Sequence, residues 1–519
     1  MTLLERVEGR LTRMGLGGLW LAGFAVALAL YVSTLAPDLD WQDSGDYQFE
    51  AARLNLSRPG DAVRVHPWFL VAAHALGRIR LWNYAYAANL ASAVGTAIAV
   101  ANVLVLARLA TGRALAAVLA AATFAVGHAV WAHAVMAETY GWAAAFLSAE
   151  CLCAWAFLTD RRPRWLLLLF LINGAAISNH MMAVLSMAVF GVWMLCEVIR
   201  RRAAWWVVPG GAACWIIGGA LYWVVLGMEY GRTGSLVETF RSATVGRWGS
   251  EIFNLADLPR LCGKSLLYVG LNYPTPLILA IPLGAARLFR RRDTFSWLIL
   301  VLAAMYFLWA ARYNVADQYA FFIPFYVPAS VLMGVGAARL TERLKPLSGW
   351  MLAAGAALLP VAVYAALPQV VPPVAWAMGV KPFRRNLPYR DAYRYFLEPW
   401  KNGDWSARRF AEETFAVLPP RAVLIPDSTA SPPLLCLQKI EGCRPDVVLA
   451  TPEGAPGAVV RHYWSSRTDL LPEAVRDGRR IFVVSNHPDY PPPWVIDLMR
   501  LEPFGCIFEV RPRLKEDGR

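Results

Sequence analysis

The chain has 519 residues, 57% hydrophobic and only 17% charged, and its apolar residues fall in blocks rather than periodic stripes. That excludes an ordinary soluble enzyme, because blocks of about 20 apolar residues match what a helix needs to cross roughly 30 Å of hydrocarbon. The net charge of +13 does not imply a nucleic-acid partner: residues 371–519 are nearly balanced, and no aromatic-basic RNA or DNA motif occurs.

The first apolar block, 15–35, follows Arg6, Arg10 and Arg13. It exceeds the ~7–15 apolar residues of a signal peptide and is read as an uncleaved span. Further spans are expected near 84–107, 114–135, 139–159, 165–179, 181–198, 207–229, 266–286, 295–311, 319–338 and 348–370. That makes about eleven. Arginines cluster at every second boundary: Arg161, Arg162 and Arg164; Arg200, Arg201 and Arg202; Arg287, Arg290, Arg291 and Arg292; Arg339 and Arg343 with Lys345. By the positive-inside rule these loops and the N-terminus are cytoplasmic. An odd number of spans then leaves the C-terminal part outside, in the periplasm if the membrane is a bacterial inner membrane.

Two outer segments, 37–83 and 229–265, are too long to be simple connectors. In the first, HPWFLVAAHALGRI reads as a helix lying in the interface, and the second is expected to hold a similar one. After Leu367 the composition turns rich in Pro, charge and aromatics, so the chain divides into a multi-spanning domain, 1–370, and a small α/β domain, 371–519. There SARRFAEETFAVL reads as an amphipathic helix and AVLIP, DVVLA and RIFVVS as short buried strands. No GxGxxG, Walker sequence or internal repeat occurs. No cysteine pair has zinc-ligand spacing; Cys436 and Cys443 fit either a disulfide or two buried thiols.

The segment after the first span, LAPDLDWQDSGDYQFEAARLNLSRPGDAVRVHPW, carries six carboxylates: Asp38, Asp40, Asp43, Asp46, Glu50 and Asp61. Carboxylates beside hydrocarbon are costly unless solvated or functional. In Asp43-Ser44-Gly45-Asp46 the glycine permits a tight turn presenting both acids; the same spacing fits a helix start with Asp43 as N-cap and Asp46 in an imperfect capping box. Glu138, Asn179 with His180, Arg312 with Asp317, and His66 fall at the same membrane level, which points to a common outer cavity.

The ordered pieces W-x-D-S-G-[D/E], A-E-x-Y, N-H, D-x-Y-x-x-x-x-P, NLPYRD and GCRPDV resemble an uncharacterised-domain family placed beside the protein O-mannosyltransferases in the GT-C superfamily. The resemblance runs over nearly the whole chain. It implies an α-helical polytopic membrane protein of GT-C type with a small extracytoplasmic α/β domain, and a hexosyl- or mannosyltransferase-like activity drawing on a polyprenyl-phosphate sugar donor. The acceptor would be a protein or glycan. Asp43 matches the family's first acid, and Asp46 replaces the more usual Glu. His66-Pro67 begins an H-P-P-G motif, but Trp68 and Phe69 stand where the second Pro and Gly are expected.

The residues fit that chemistry. Transfer from a lipid phosphate sugar needs a base for the acceptor hydroxyl and groups that take up charge on the departing phosphate. The expected catalytic acids are Asp43, Asp46 and Glu138. The expected substrate-binding residues are His66, Asn179, His180 and Asp317, with Arg312 or Arg53 at the phosphate. No cofactor follows from the sequence, which leaves open whether Asp43, Asp46 and Glu138 share a divalent ion; hard oxygen ligands would favour Mg²⁺ or Mn²⁺. Two competing readings are a transporter or flippase using the acidic cavity, and a membrane anchor displaying the α/β domain.

Overall fold

The structure is a computed structural model that describes residues 14–246, 249, 258–342, 344–379, 387–451 and 478–513. Arg6, Arg10, Arg13, Arg343 and part of the segment 229–265 lie outside the described residues. Among the described residues six helices are long and apolar enough to cross a membrane: Leu16–Ser33, Tyr84–Thr111, Tyr140–Asp160, Thr294–Arg312, Gln318–Leu340 and Ser348–Ala377. Two further apolar stretches are bent pairs, Ala114–Ala125 with His128–Ala134 at 64° and Val207–Gly218 with Ala220–Thr233 at 67°. Arg164–Asn179 and Ala183–Ile199 are apolar but shorter. The expected span at 266–286 is interrupted around Pro274 and Pro276. It forms the helix Leu258–Asn272, a 3₁₀ turn Pro276–Leu279 and the helix Ala280–Arg291, because proline removes a ladder donor and clashes with the preceding turn.

Helix Tyr84–Thr111 lies at the centre of the bundle. Its Ala-rich surface is mostly buried against Leu16–Ser33, Ala114–Ala125 and Tyr140–Asp160, as expected where small residues let helices approach in a medium as apolar as their side chains. Gly284 and Gly336 make the tightest crossing. A Cβ on either would lie 1.9–2.0 Å from a backbone carbonyl of the facing helix.

The first outer segment folds as helix Gln42–Arg53, a 3₁₀ turn Ala62–Arg64 and the interfacial helix Pro67–Arg78, whose Pro67 occupies the first helical position. Trp68 and Phe69 are inward-packing: Trp68 meets the rings of Trp142 and Phe146, and Phe69 is fully buried beside Tyr47. The second outer segment forms helix Leu236–Thr244, with Leu236, Val237 and Phe240 exposed on one face and Thr239, Ser242 and Ala243 buried on the other.

The last long helix, Pro346–Ala377, continues past position 371, so the change in composition falls inside a helix. Beyond it the C-terminal unit holds helix Ser406–Val417 and a five-stranded sheet ordered β2-β1-β3-β5-β4. Strands β1 (Val423–Ile425), β2 (Val448–Leu449) and β3 (Ile481–Val483) are parallel; β4 (Met499–Phe504) and β5 (Ile507–Pro512) form an antiparallel hairpin on β3. All eight cysteines are free thiols, Cys436 buried and Cys443 partly so.

This unit and the first outer segment share one apolar core, in which Leu39, Trp41 and Phe49 meet Phe410, Leu434 and Leu437. Polar contacts fix the joint: Trp41 Nε1 donates to Ser406 Oγ at 2.8 Å, the Lys401 amide to the Thr34 carbonyl at 2.9 Å, and Arg408 pairs with Asp38 at 2.8 Å.

Candidate active site

Helix Gln42–Arg53 carries the acidic motif. Its N-cap is Trp41 and Asp43 stands in the first turn, so the expected capping role does not hold. A carboxylate there still favours the positive end of the helix dipole. Nor does Gly45 open a turn. It lies inside the helix, where a Cβ would come within 2.3 Å of the Asp40 carbonyl and 2.9 Å of Pro432 of the C-terminal unit. The glycine is needed for close approach. Gln42, at φ 56°, holds a conformation that is strained for a side-chain-bearing residue, one position before Asp43.

Asp43 and Asp46 open onto a cavity of about 800 Å³, within the range of ~300–1,000 Å³ common for ligand sites. His66, His180 and Asp317 line it too, with Tyr47, Tyr140, Tyr313, Arg58 and Arg64. Arg58 Nη2 stands 2.6 Å from Asp46 and Arg64 Nη2 3.2 Å from Asp43. The cations at the acids are therefore Arg58 and Arg64. Arg53 is exposed and lies over the Phe49 ring at 4.8 Å, Arg312 lies over Trp309 at 4.6 Å, and neither is among the described lining residues. Arginines within an acidic loop were the available signal for the first pair.

Glu138 sits beneath the cavity floor. It is buried, accepts a hydrogen bond from Ser44 Oγ at 2.8 Å, and its amide donates to Ser92 Oγ at 2.7 Å. Burial, and then the charge of Asp43, push its carboxyl well above the usual range, which suits a protonated structural acid. Asn179 is also behind the wall. Its side chain donates to the Thr139 carbonyl at 3.0 Å and its own carbonyl lies 2.7 Å from His66 Nδ1.

Since a carbonyl only accepts, His66 carries its proton on Nδ1. His180 takes the opposite tautomer, because its Nδ1 accepts the Met182 amide at 3.2 Å. The two rings stack at 5.1 Å. Burial lowers both, His66 well below its ordinary value and His180 to about 4, so neither brings positive charge near neutral pH. Burial, followed by the charge of Asp43, raises Asp317 to about 6.

The opposite wall comes from the C-terminal unit: Asp427, Ser428, Ser431, Thr451, Asp489 and Tyr490. None of these six is among the residues expected from the sequence. The usable signal was that each follows a buried strand. Among the described residues no three His, Cys, Asp or Glu side chains converge to hold a metal. With Asp43 and Asp46 paired to arginines and Glu138 to Ser44, the three acids do not fit the shared divalent ion that the sequence left open.

A helical membrane bundle with an acidic outer-loop helix roofed by a small α/β unit defines the class: the fold is that of the GT-C membrane glycosyltransferases. Residues 43–203 match the family model described as the protein O-mannosyl-transferase TMEM260 N-terminal domain. ArnT from Cupriavidus metallidurans superposes with a TM-score of 0.59 in its apo state, at 16% identity over 95% of this chain and 97% of that one. Its complex with undecaprenyl phosphate gives 0.56, at 14% identity and the same coverage. The Archaeoglobus fulgidus oligosaccharyltransferase gives 0.50, at 13% identity over 90% of this chain and 67% of that one. No curated protein matches the chain.

Proposed function

We propose that this protein transfers a sugar, a hexose such as mannose, from a polyprenyl-phosphate carrier to an acceptor hydroxyl at the outer face of the membrane. The observation that carries the reading is the pairing of Asp43 with Arg64 and Asp46 with Arg58 in one cavity. Asp43 takes the acceptor proton as the acceptor oxygen bonds to the anomeric carbon. The bond from that carbon to the phosphate oxygen breaks, and the carrier leaves as an anion beside Arg58 and Arg64. A guanidinium suits this role, since its fork matches phosphate oxygens. One essential carboxylate is enough for a single inverting displacement. Further support comes from ArnT, a neighbour in fold solved with undecaprenyl phosphate bound, and from the protein O-mannosyl-transferase family model.

The test is loss of sugar from radiolabelled polyprenyl-phosphate mannose by the purified chain in lipid nanodiscs. The wild type should consume the donor, and Asp43→Asn should do so roughly 10²–10⁴-fold more slowly, the usual worth of a positioned base. Unimpaired turnover by Asp43→Asn would remove the base assignment. A wild type inert toward every polyprenyl-phosphate hexose tried would remove the function.

A further inference from the structure

Four rings form a continuous row along one side of the cavity. Tyr47 meets His66 edge-on at 5.5 Å, His66 stacks on His180 at 5.1 Å, and His180 lies against Tyr140 at 5.6 Å. All four line the cavity, and so does Phe321, which closes the end of the row 5.9 Å from His180 and 5.4 Å from Tyr140. Three parts of the chain meet to build it: the first outer segment, the turn after helix Arg164–Asn179 and the start of helix Tyr140–Asp160.

Backbone contacts fix what each histidine offers. His66 Nδ1 donates to the Asn179 carbonyl at 2.7 Å, which leaves its Nε2 as an acceptor. His180 Nδ1 accepts the Met182 amide at 3.2 Å, which puts its proton on Nε2 and makes that atom a donor. Among the described residues neither Nε2 has a hydrogen-bond partner, and neither is sealed from solvent. The stacked pair thus holds one unused acceptor and one unused donor between two tyrosine rings. At a cavity wall such groups bind water until a ligand displaces it.

The neighbours say which ligand. The charges of both Arg58 and Arg64 reach His66, so the row adjoins the two cations that the proposed reaction sets beside the departing phosphate. The group bonded to that phosphate is the sugar. Hydroxyls donate and accept, as the two Nε2 atoms require, and the apolar face of a sugar ring packs on aromatic side chains that carry polar tips. A phosphate suits the row less well, because both imidazoles are neutral near pH 7 and the His66 lone pair would face its oxygens.

We propose that the row of Tyr47, His66, His180 and Tyr140 is the subsite for the donor's sugar, with His66 Nε2 accepting from a sugar hydroxyl and His180 Nε2 donating to a sugar oxygen. The proposal rests on reading the cavity as a site of glycosyl transfer from a lipid phosphate.

The test is native mass spectrometry of the full detergent-solubilised chain, titrated with undecaprenyl phosphate and with undecaprenyl phosphate bearing mannose or glucose. The wild type should bind at least one of the two sugar lipids tenfold or more tightly than the bare carrier. His66→Asn keeps a donor for the Asn179 carbonyl and His180→Asn an acceptor for the Met182 amide, while each removes the Nε2 edge. Each variant, checked for an unchanged melting temperature, should bind that sugar lipid about fivefold more weakly, the usual worth of a neutral hydrogen bond. Both should hold the bare carrier within twofold of wild type. Where a variant does not fold, the ligand is altered instead: at least one of the 2-, 3-, 4- and 6-deoxy forms of the sugar lipid should bind the wild type about fivefold more weakly. The proposal is overturned by a wild type without preference for sugar, by a preference that survives either variant or all four deoxy ligands, or by an equal loss of the bare carrier. If the preference and its dependence on the histidines stand and the wild type still consumes no donor, it is the transfer reading that falls.

Discussion

At the residue scale the candidate acids that line the cavity were legible and the arginines beside them were not. Asp43, Asp46, His66, His180 and Asp317 line one cavity, as their shared membrane level had suggested. Arg53 and Arg312 sit on aromatic rings instead, because a long side chain one turn away on the same helix finds a nearer apolar surface. Since Asp43 is not the N-cap, Asp43→Asn and Asp43→Ala should each lose no more than about 0.3–1 kcal/mol, the helix-dipole contribution of a first-turn acid. Equal melting temperatures for the two would confirm it; a clear deficit for Ala alone would restore the capping role. Asp317, at about 6 against an ordinary 3.8, binds its proton more tightly folded than unfolded. Its contribution to stability is therefore full below the unfolded value and lost as pH rises through about 6. Asp317→Asn should melt near the wild-type temperature in acid and above it at pH 8, and a wild type more stable than the variant at pH 8 would contradict the burial argument.

At the scale of elements, long apolar runs and short buried strands were readable, since hydrophobic period and run length are properties of local sequence. The bends at Val126–Gly127 and Gly218–Gly219 were not, because a continuous apolar run says nothing of its axis. The β4–β5 hairpin was also missed; its strands are only partly buried and mix charged with apolar residues. Gly45 shows the same limit. Its place looked like a turn, and the approach of the Asp40 carbonyl and of Pro432 explains it. Gly45→Ala should cost about 1–3 kcal/mol as an overpacked contact and should speed limited proteolysis near residues 398–405. A variant as stable and as resistant as wild type would show that the joint tolerates a methyl group there.

For the whole molecule, the contacts of Lys401 with Thr34 and of Ser406 with Trp41 require the C-terminal unit to lie on the same side as the first outer segment. By the positive-inside rule that side is expected to be the exterior. Phosphatase fusions at Lys345 and Gly518 should therefore be inactive and active respectively. An expressed, inserted Gly518 fusion without phosphatase activity would reverse the orientation of the cavity.

The shared core of Leu39, Trp41 and Phe49 with Phe410 and Leu434 also has a consequence for biogenesis. The helix that bears Asp43 leaves the ribosome well before its apolar partners, which lie nearly 400 residues later in the chain. Contacts of such separation form slowly and only after the intervening chain exists. A nascent or truncated chain therefore has its membrane helices before it has an ordered acidic helix, and the cavity is complete only once the C-terminal unit has docked.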